Sequence, residues 1–316
     1  MKETLRTAVV GVGYLGRFHA QKYLALPGCS LVGVMDSDAE RLSRVSAELG
    51  VPGFASLEAL LPQVEALSIA VPTSAHFQVG LRCLEAGKHL LMEKPLAATV
   101  EESAHLVARA AERGVLLQVG YLERFNPGFV ACRERIVNPE FIDAVRVAPF
   151  TGRGGDVDIV LDMMVHDLDL ILALVPAELR DLHAVGKSLV TETTDIASVR
   201  LMFADGCVAN VTASRVAEKT ERTFRVFQEN RYFSIDLLNP GVRILSPNGS
   251  RPRTAGAGIA KEEISLEKGD SLQVEIAAFL EAVRQGTRPV VSGEDGLRTM
   301  EVAEQIIRAI AEERKP

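Results

Sequence analysis

The sequence of 316 residues has few aromatic side chains, no block of positive charge and no apolar run long enough to cross a membrane. Aromatic residues make up 5% of the chain and Trp is absent, which argues against a base-stacking or lectin-like surface. Lys and Arg number 35 against 42 Asp and Glu, so the formal net charge is −7. Binding to nucleic acid or anionic lipid relies on clustered positive charge. We therefore expect neither a nucleic-acid partner nor membrane insertion.

The sequence also lacks the cysteine spacing of a metal or redox site. Its four cysteines are far apart and form no CxxC pair: Cys29, Cys83, Cys132 and Cys207. This spacing indicates free thiols in a reducing compartment and predicts neither a cysteine zinc site nor a redox dithiol. The N-terminal segment shows no signal-peptide pattern. We therefore expect a cytoplasmic localisation.

What is present in the first 120 residues is a regular alternation of short apolar runs and amphipathic helical patterns. The apolar runs are Leu5–Val10, Leu31–Met35, Ala66–Val71, His89–Met92 and Leu116–Val119. The helical patterns lie near 14–26, 38–49, 74–86 and 100–113. Continuous apolar strands are buried on both faces, and their alternation with helices is typical of a parallel sheet. The sequence thus predicts an α/β fold whose first domain, residues 1–121, has a doubly wound parallel sheet.

The second half of the chain has a different organisation. Helical patterns cover 159–175, 271–285 and 293–313, and strand-like runs cover 182–189, 195–203, 207–216, 222–228 and 231–238. Residues 246–258 have the composition of a loop. Closely spaced strands without helices between them indicate an antiparallel sheet. We predict that residues 122–316 form an α+β domain with a large open, mostly antiparallel sheet, which binds substrate and mediates self-association.

A GxGxxG motif follows the first predicted strand and opens the first predicted helix. Its glycines are Gly11, Gly13 and Gly16, and Tyr14 and Leu15 complete the turn. In this context the glycines allow a tight turn, close approach of a pyrophosphate and close helix packing, as in a Rossmann domain. The amides at the helix N-terminus would bind the phosphates. The alternative is that these glycines serve turns only.

Asp36 ends the second predicted strand, at about the 20-residue separation expected of the carboxylate that binds the ribose hydroxyls. Because a carboxylate repels a 2′-phosphate, this position predicts NAD as the cofactor in preference to NADP.

The Glu93-Lys94-Pro95 segment follows the predicted strand His89–Met92, at the sheet edge where ligands bind. Proline disfavours a helical conformation at Lys94, so the lysine is expected to leave the strand towards the crevice. A surface lysine beside a turn proline is the competing interpretation.

A polar stripe interrupts the apolar helical pattern near 159–175. At about 100° per residue, Asp162, His166 and Asp169 fall within roughly 60° of one another. Buried carboxylates and a buried histidine need partners or serve a site. Three interpretations stay open: a metal site, a hydrogen-bonded core histidine, and an acid–base pair for alcohol oxidation.

Taken together, these motifs resemble those of the Gfo/Idh/MocA family of NAD(P)-dependent sugar oxidoreductases. The segments that carry the resemblance are GVGYLG, AVPTSAH at 70–76, MEKPLA at 92–97 and the DxxxH pattern in the second half. The resemblance implies a Rossmann domain joined to an open-sheet domain that builds a homodimer or homotetramer.

The resemblance also implies roles for individual residues. Lys94, Asp162 and His166 would form the catalytic set, and Glu93 would lie near the nicotinamide. The cofactor would further be contacted by Val71, Pro72, Thr73 and His76. Weaker candidates for sugar and diphosphate contacts are Tyr121, Arg124, Asn126, Arg153, Asp169 and Arg215.

Three segments are similar to one branch of the family, which oxidises the 3-hydroxyl of UDP-N-acetylglucosamine. They are GYLERFNP at 120–127, DVDIVLDMMVHDLDLIL at 156–172 and TASRVAEKTERTFRVFQ at 212–228. In that branch a PLP aminotransferase consumes the ketone for diamino-sugar lipid A. Met164 departs from the broader family, in which many members have glycine two residues before the histidine. The alternatives are a dehydrogenase of myo-inositol or a UDP-hexuronic acid, and a non-catalytic NAD-binding regulator.

Overall fold

The computed structural model describes residues 4–152, 154–248 and 258–313. These residues form two compact units. The first unit comprises the described residues up to Leu122 together with Asp270–Met300, and the second comprises Glu123–Gly269 and the described residues from Glu301 onward. The first unit therefore includes a segment from near the end of the chain, which the sequence analysis had assigned to the second domain.

The first unit contains a six-stranded sheet in its described part, and all of its strand pairs are parallel. The strands are β1 (Leu5–Val10), β2 (Cys29–Met35), β3 (Gly53–Phe54), β4 (Ala66–Ile69), β5 (His89–Glu93) and β6 (Leu117–Gly120). Their spatial order is β3-β2-β1-β4-β5-β6. This is the doubly wound Rossmann order, with its switch point between β1 and β4. The predicted fold class is confirmed for this unit.

The helices of the first unit include five that connect strands of this sheet and a later one, and some of them begin at a side-chain cap. They are α1 (Tyr14–Ala25), α2 (Ala39–Leu49), α3 (Leu57–Leu60), α4 (Thr73–Glu85), α5 (Val100–Arg113) and α8 (Ser271–Gln285). The Asp38 side chain caps α2 by accepting from the amide of Arg41 at 2.9 Å. The Thr99 hydroxyl caps α5 by accepting from the amide of Glu102 at 3.1 Å.

The core of the first unit is built by strands without polar alternation. Ala8 and Val9 on β1 are fully buried, because helices cover both faces of a doubly wound sheet. Ile276 and Phe279 of α8 belong to the same apolar cluster. The chain therefore needs its late helix to complete the core around the nucleotide-type sheet.

The second unit contains an eight-stranded, mostly antiparallel sheet in its described part. Its strands are β7 (Phe141–Val147), β8 (Leu179–Lys187), β9 (Ile196–Phe203), β10 (Val208–Ser214), β11 (Glu221–Gln228), β12 (Arg231–Asp236), β13 (Gly241–Pro247) and β14 (Ile259–Ser265). Their order is β14-β13-β12-β11-β7-β10-β9-β8, and β7 pairs with β10 in parallel. The predicted mostly antiparallel sheet is confirmed, although β7, β13 and β14 were not predicted as strands.

The remaining helical segments of the described chain include an irregular one. Residues Val160–Met164 form a π-helical turn that continues directly into α7 (Val165–Leu174), and the other helices are α6 (Pro127–Val130) and α9 (Gly293–Glu313). The Asn126 side chain caps α6 and Pro127 is its first residue. Among the described residues, no helix combines the length and apolar character needed to cross a membrane.

The two faces of the second sheet differ. Ile142, Ala144 and Val211 are buried on the face against which α7 packs. On the opposite face, Phe227 lies between Phe141 and Tyr232, with ring centroids 5.4 Å and 4.6 Å apart, and is 40% exposed. The period-two alternation of these strands thus produces one covered face and one partly exposed face.

Candidate active site

The glycine turn between β1 and α1 has the shape of a pyrophosphate cradle. Gly11 has a φ of +84°, and a Cβ there would lie 2.6 Å from the carbonyl oxygen of Ala70. A Cβ on Gly16 would overlap the carbonyl oxygen of Gly11, whereas a Cβ on Gly13 would have no atom within 4 Å. Two glycines are thus required by the fold, and the third leaves open space at the N-terminus of α1. This arrangement fits a dinucleotide.

Asp36 lies at the carboxyl end of β2 and accepts four hydrogen bonds. The amides of Val12 and Asp38 donate to it at 2.8 Å and 2.9 Å, and Arg41 donates from Nε at 3.0 Å and Nη2 at 3.1 Å. Burial opposes the charge of Asp36, but the bonds from Arg41, Asp38 and Val12 outweigh it and lower its pKa. Because a carboxylate has about four acceptor positions, ribose binding requires exchange of the Arg41 contacts.

A cavity of about 220 Å³ lies beside this carboxylate and the glycine turn. Its lining includes the side chains of Arg17, Arg41 and Arg44 and the carboxylate of Glu48, which accepts from Arg17 at 2.8 Å. Positive side chains therefore lie next to the predicted ribose position, and one of them, Arg41, is paired with the Asp36 carboxylate.

The Glu93-Lys94-Pro95 segment is held at the carboxyl end of β5. Glu93 pairs in register with Gly120 of β6, and a Cβ on Gly120 would lie 3.0 Å from Oε1 of Glu93. Lys94 is half-buried, and its peptide bond to Pro95 is cis. The fold therefore places the predicted lysine at the edge where doubly wound sheets bind ligands.

His76 joins two of the predicted cofactor segments. It lies on α4, which begins at Thr73 after the Val71-Pro72 turn. Its Nδ1 is 2.8 Å from the carbonyl oxygen of Pro95, and its Nε2 is 3.0 Å from that of Val71. The ring is 1% exposed. This placement favours a bracing role for His76 over direct contact with the cofactor.

In the second unit, the π-turn carries Asp162 and α7 carries His166, and both residues are half-buried. A Cβ on Gly154 would lie 3.0 Å from Oδ2 of Asp162, so this glycine leaves room for the carboxylate. π-Turns occur often at functional sites, because one extra residue redirects the side chains that follow. The single polar stripe expected from regular helical spacing is thus replaced by a locally irregular arrangement.

Two buried ion pairs anchor the helix that carries His166. Arg146 on β7 donates to Asp167 from Nε at 2.7 Å and from Nη2 at 3.0 Å, and its Nη1 donates to Glu123 at 2.9 Å. Arg124 donates to Asp169 from Nε at 2.7 Å and from Nη2 at 3.0 Å. Such bidentate pairs fix position as well as charge. Two residues of α7 that follow the histidine are therefore held by arginines.

Replacing Arg146 is expected to destabilise the second unit strongly. Arg146→Met leaves the buried carboxylates of Asp167 and Glu123 without this cation, so the free energy of unfolding should fall by about 3–5 kcal/mol. Urea unfolding followed by circular dichroism measures the change. Arg308→Met is the matched control: its pair with Glu304 is exposed, so its loss should cost less than about 1 kcal/mol. Equal effects of the two substitutions would contradict the anchoring role.

The residues predicted to contact substrate are mostly occupied within the fold. Tyr121 is 0% exposed. The Asn126 amide donates to Glu123 and to the carbonyl oxygen of Leu237, each at 2.9 Å. This placement, like the Arg124–Asp169 pair, favours structural roles, and Arg153 lies outside the described residues.

Arg215 is likewise buried, and it holds the segment that contacts Asp162. Its guanidinium donates to the carbonyl oxygens of Gly154 and Val157. The Arg215 Nε is 3.7 Å from the carboxylate of Asp195. Arg215 is therefore better placed to shape the surroundings of Asp162 than to bind a diphosphate.

Sequence reasoning missed several residues that the structure connects to the candidate site. His19 of α1 is 2.9 Å from Glu93, and Arg41 and Arg146 were not considered as partners of Asp36 and Asp167. Gly16, His19 and Tyr23 follow one another at steps of three and four residues, and all three are buried on α1. This helical spacing is the sequence signal that places His19 on the inward face of the helix. Among the described residues, no group of three or more His, Cys, Asp or Glu side chains is arranged to hold a metal.

Comparison with protein families supports the assignment of both parts of the chain. Residues 5–121 match the GFO/IDH/MocA oxidoreductase family with an NAD-binding Rossmann fold. Residues 146–233 match the GFO/IDH/MocA C-terminal domain. The two matches follow each other in the order that the motifs predict.

Individual relatives include enzymes that act on different sugars and polyols. A UDP-N-acetylglucosamine 3-dehydrogenase of Acidithiobacillus ferrooxidans is 40% identical over 97% of both chains, and its solved structure superposes with a TM-score of 0.91. A scyllo-inositol 2-dehydrogenase (NAD(+)) of Bacillus subtilis is 29% identical over 96% of this chain and 93% of that protein. A levoglucosan dehydrogenase in complex with NADH and levoglucosan, 18% identical, shares the fold with a TM-score of 0.87 and coverage of 98% of both chains.

Proposed function

Because this chain belongs to the GFO/IDH/MocA oxidoreductase family and binds NAD through its Rossmann domain, we propose that it oxidises the 3-hydroxyl of UDP-N-acetylglucosamine to a ketone. The observation that carries the proposal is the 40% identity over 97% of both chains to an enzyme of that name. The inositol 2-dehydrogenase from Bacillus subtilis is 29% identical. The similarity therefore favours a nucleotide sugar over a cyclic polyol.

The cofactor would be held by backbone amides and one carboxylate. The open space at Gly13 and the N-terminus of α1 suit the pyrophosphate, and Asp36 suits the ribose hydroxyls. When bound, NAD supplies the hydride acceptor, which no side chain provides. The protein's own contribution is orientation, proton handling and stabilisation of charge on the reacting oxygen.

The proposed catalytic residues divide two tasks at the reacting hydroxyl group. A ring nitrogen of His166 accepts the hydroxyl proton while the carbon gives its hydride to the bound cofactor, so the alcohol becomes a ketone. Asp162 orients the imidazole and stabilises its protonated form. The ammonium group of Lys94 donates a hydrogen bond to the oxygen and stabilises the negative charge that develops there.

Isotopic labelling tests both the substrate and the position of oxidation. Wild-type protein is incubated with NAD and UDP-N-acetylglucosamine that carries deuterium at carbon 3, and the reduced cofactor is analysed by mass spectrometry. We expect deuterated NADH from this substrate and unlabelled NADH from substrate deuterated at carbon 4. Label transfer from carbon 4, or no turnover, would contradict the proposal.

A panel of other substrates tests the alternatives in the same assay. Inositol relatives among the matches make myo-inositol and scyllo-inositol the relevant competitors, and a UDP-hexuronic acid is a third. We expect the highest kcat/KM for UDP-N-acetylglucosamine. Faster turnover of an inositol would replace the proposed substrate, and NAD binding without hydride transfer to any panel member would indicate a regulator.

The chemistry of the product indicates the reaction that follows. A 3-keto sugar nucleotide is a substrate for amination, so a PLP aminotransferase would consume it on the way to diamino-sugar lipid A. These steps involve soluble small molecules, which agrees with a cytoplasmic enzyme. The partly exposed sheet face with Phe227 is a suitable surface for a homodimer or homotetramer.

Removal of the Asp36 carboxylate is expected to change the cofactor preference. Asp36→Ala removes the proposed ribose contact and frees Arg41 to bind a 2′-phosphate beside Arg17 and Arg44. The dissociation constant for NAD should rise about 10-fold or more, and that for NADP should fall by a similar factor. Isothermal titration calorimetry with each cofactor measures both values.

The double variant Asp36→Ala/Arg41→Ala is the matched control for this prediction. It lacks the same carboxylate and also the freed guanidinium, so it should lose the gain in NADP affinity. Unchanged dissociation constants for both cofactors in Asp36→Ala would remove Asp36 from the ribose site.

A further inference from the structure

The two neighbours of Lys94 in the chain are each bonded to a buried histidine. On one side, Oε1 of Glu93 is 2.9 Å from Nε2 of His19. On the other side, the carbonyl oxygen of Pro95 is 2.8 Å from Nδ1 of His76. Both histidines belong to the first unit, and their exposures are 0% and 1%. Both residues next to Lys94 in the chain, Glu93 and Pro95, are therefore held in place by contacts to buried side chains.

The contact to Glu93 is the end of a buried chain of hydrogen bonds. A carboxylate only accepts, so this contact places a hydrogen on Nε2 of His19. Nδ1 of the same ring is 3.0 Å from the Ser68 hydroxyl oxygen, which is 2.9 Å from the Tyr23 hydroxyl oxygen. Both ring nitrogens are therefore held, which fixes the orientation of the imidazole towards the carboxylate.

The contact to Pro95 connects a second cofactor segment to the same turn. The His76 ring lies between the carbonyl oxygens of Pro95 and Val71, with one ring nitrogen within 3.0 Å of each, and Val71 precedes the start of α4 at Thr73. His19 lies on α1, whose first turn follows the glycine turn. Helices α1 and α4 both begin at the predicted cofactor edge. The histidine of α1 contacts Glu93, and the histidine of α4 contacts Pro95.

From this geometry we propose that His19 and His76 are positioning residues, which together fix the backbone of Lys94 for catalysis. The inference rests on the proposed role of Lys94, and it adds two residues that act through Glu93 and Pro95. Displacement of a catalytic group by about 1 Å can cost about 10²-fold in rate. The contacts of His19 with Glu93 and of His76 with Pro95 therefore contribute to kcat and have little effect on the affinity for the cofactor.

Substitutions that remove or keep the relevant hydrogen bond test the proposal. His19→Leu fills a similar volume without a donor, whereas His19→Gln keeps an amide donor in a comparable place. We expect kcat to fall about 10- to 100-fold in His19→Leu and in His76→Leu, with the NADH dissociation constant within about threefold of wild type. His19→Gln should recover most of the lost kcat. His105→Asn, at an exposed position of α5, is the matched control and should leave kcat unchanged.

A second readout does not depend on turnover. Lysines are reductively methylated with ¹³C-formaldehyde, and the Lys94 signal is assigned by its absence in Lys94→Met. The chemical shift of this signal in the presence of NADH should change in both leucine variants and be restored in His19→Gln. If His19→Leu does not fold, Ser68→Ala removes only the hydroxyl that orients the ring, and it should shift the same signal and lower kcat about 3- to 10-fold.

The outcomes separate this inference from the proposed function. The leucine variants could have a lower melting temperature but an unchanged kcat per folded molecule and an unchanged Lys94 signal. This result would show that the two histidines only stabilise the fold, and it would overturn the proposed positioning role. A wild-type protein that does not oxidise UDP-N-acetylglucosamine would overturn the proposed substrate. In that case the methyl signal of Lys94 still reports whether the two histidines fix its position.

Discussion

His166→Asn is expected to lower kcat by about 10²- to 10⁴-fold, because a positioned general base normally contributes that much. Asparagine preserves hydrogen bonding but cannot accept the substrate proton in the transition state. The neighbouring Asp167 and Asp169 remain bonded to Arg146 and Arg124, so α7 should keep its place. Steady-state oxidation of the sugar nucleotide, measured as NADH formation, gives kcat and KM separately.

Two additional measurements distinguish proton transfer from a loss of structure. The limb of the wild-type pH profile that reports the general base should disappear in His166→Asn. His183→Asn is a suitable control, since the His183 side chain is 68% exposed on β8, and it should behave as wild type. If His166→Asn stayed within about threefold of wild type, the assignment of the base would be wrong.

Lys94→Met should lower kcat by about 10²- to 10³-fold, which is the usual effect of removing one donor to a developing negative charge. Methionine retains the length and apolar character of the side chain but has no ammonium group. Because Glu93 and Pro95 keep their contacts to His19 and His76, the turn itself should be unchanged. The NADH dissociation constant is therefore expected to stay near the wild-type value.

Lys94→Arg and Lys187→Met complete that experiment. Arginine restores the charge but not the compact geometry of the ammonium group, so only part of the activity should return. Lys187 is exposed on β8, and its loss should have no effect on turnover. A Lys94→Met enzyme with full activity would exclude a role for the lysine in stabilising the reacting oxygen.

The parallel sheet could be predicted from sequence because its signals are local. The runs at 5–10 and 66–71 are mostly apolar, and the glycine turn requires a strand before it and a helix after it. Strand β7, with the sequence FIDAVRV, was missed because it stands apart from the closely spaced strands that it joins: its partners β10 and β11 lie more than 60 residues away along the chain. The membership of α8 in the first unit depends on the same kind of long-range packing.

The candidate site shows the same division between local and long-range information. Gly11 and Asp36 follow from spacing within one βαβ unit, and the fold places them as expected. The partners of Asp167 and Glu93 could not be predicted, because Arg146 and His19 are 21 and 74 residues away from them. Asn126 and Arg215 illustrate the converse case: a polar residue near a motif can be held by contacts within the fold, which sequence spacing does not reveal.

The π-turn at Val160–Met164 has a genetic consequence. It contains one residue more than a regular helix needs, so loss of the codon for Met163 or Met164 would leave an uninterrupted α-helix. Such a deletion would shorten the spacing from Asp162 to His166 by one residue and rotate the carboxylate by about 100° relative to the histidine. Among natural or engineered variants of this chain, an in-frame deletion at either position therefore marks a protein in which Asp162 has lost its present orientation relative to His166.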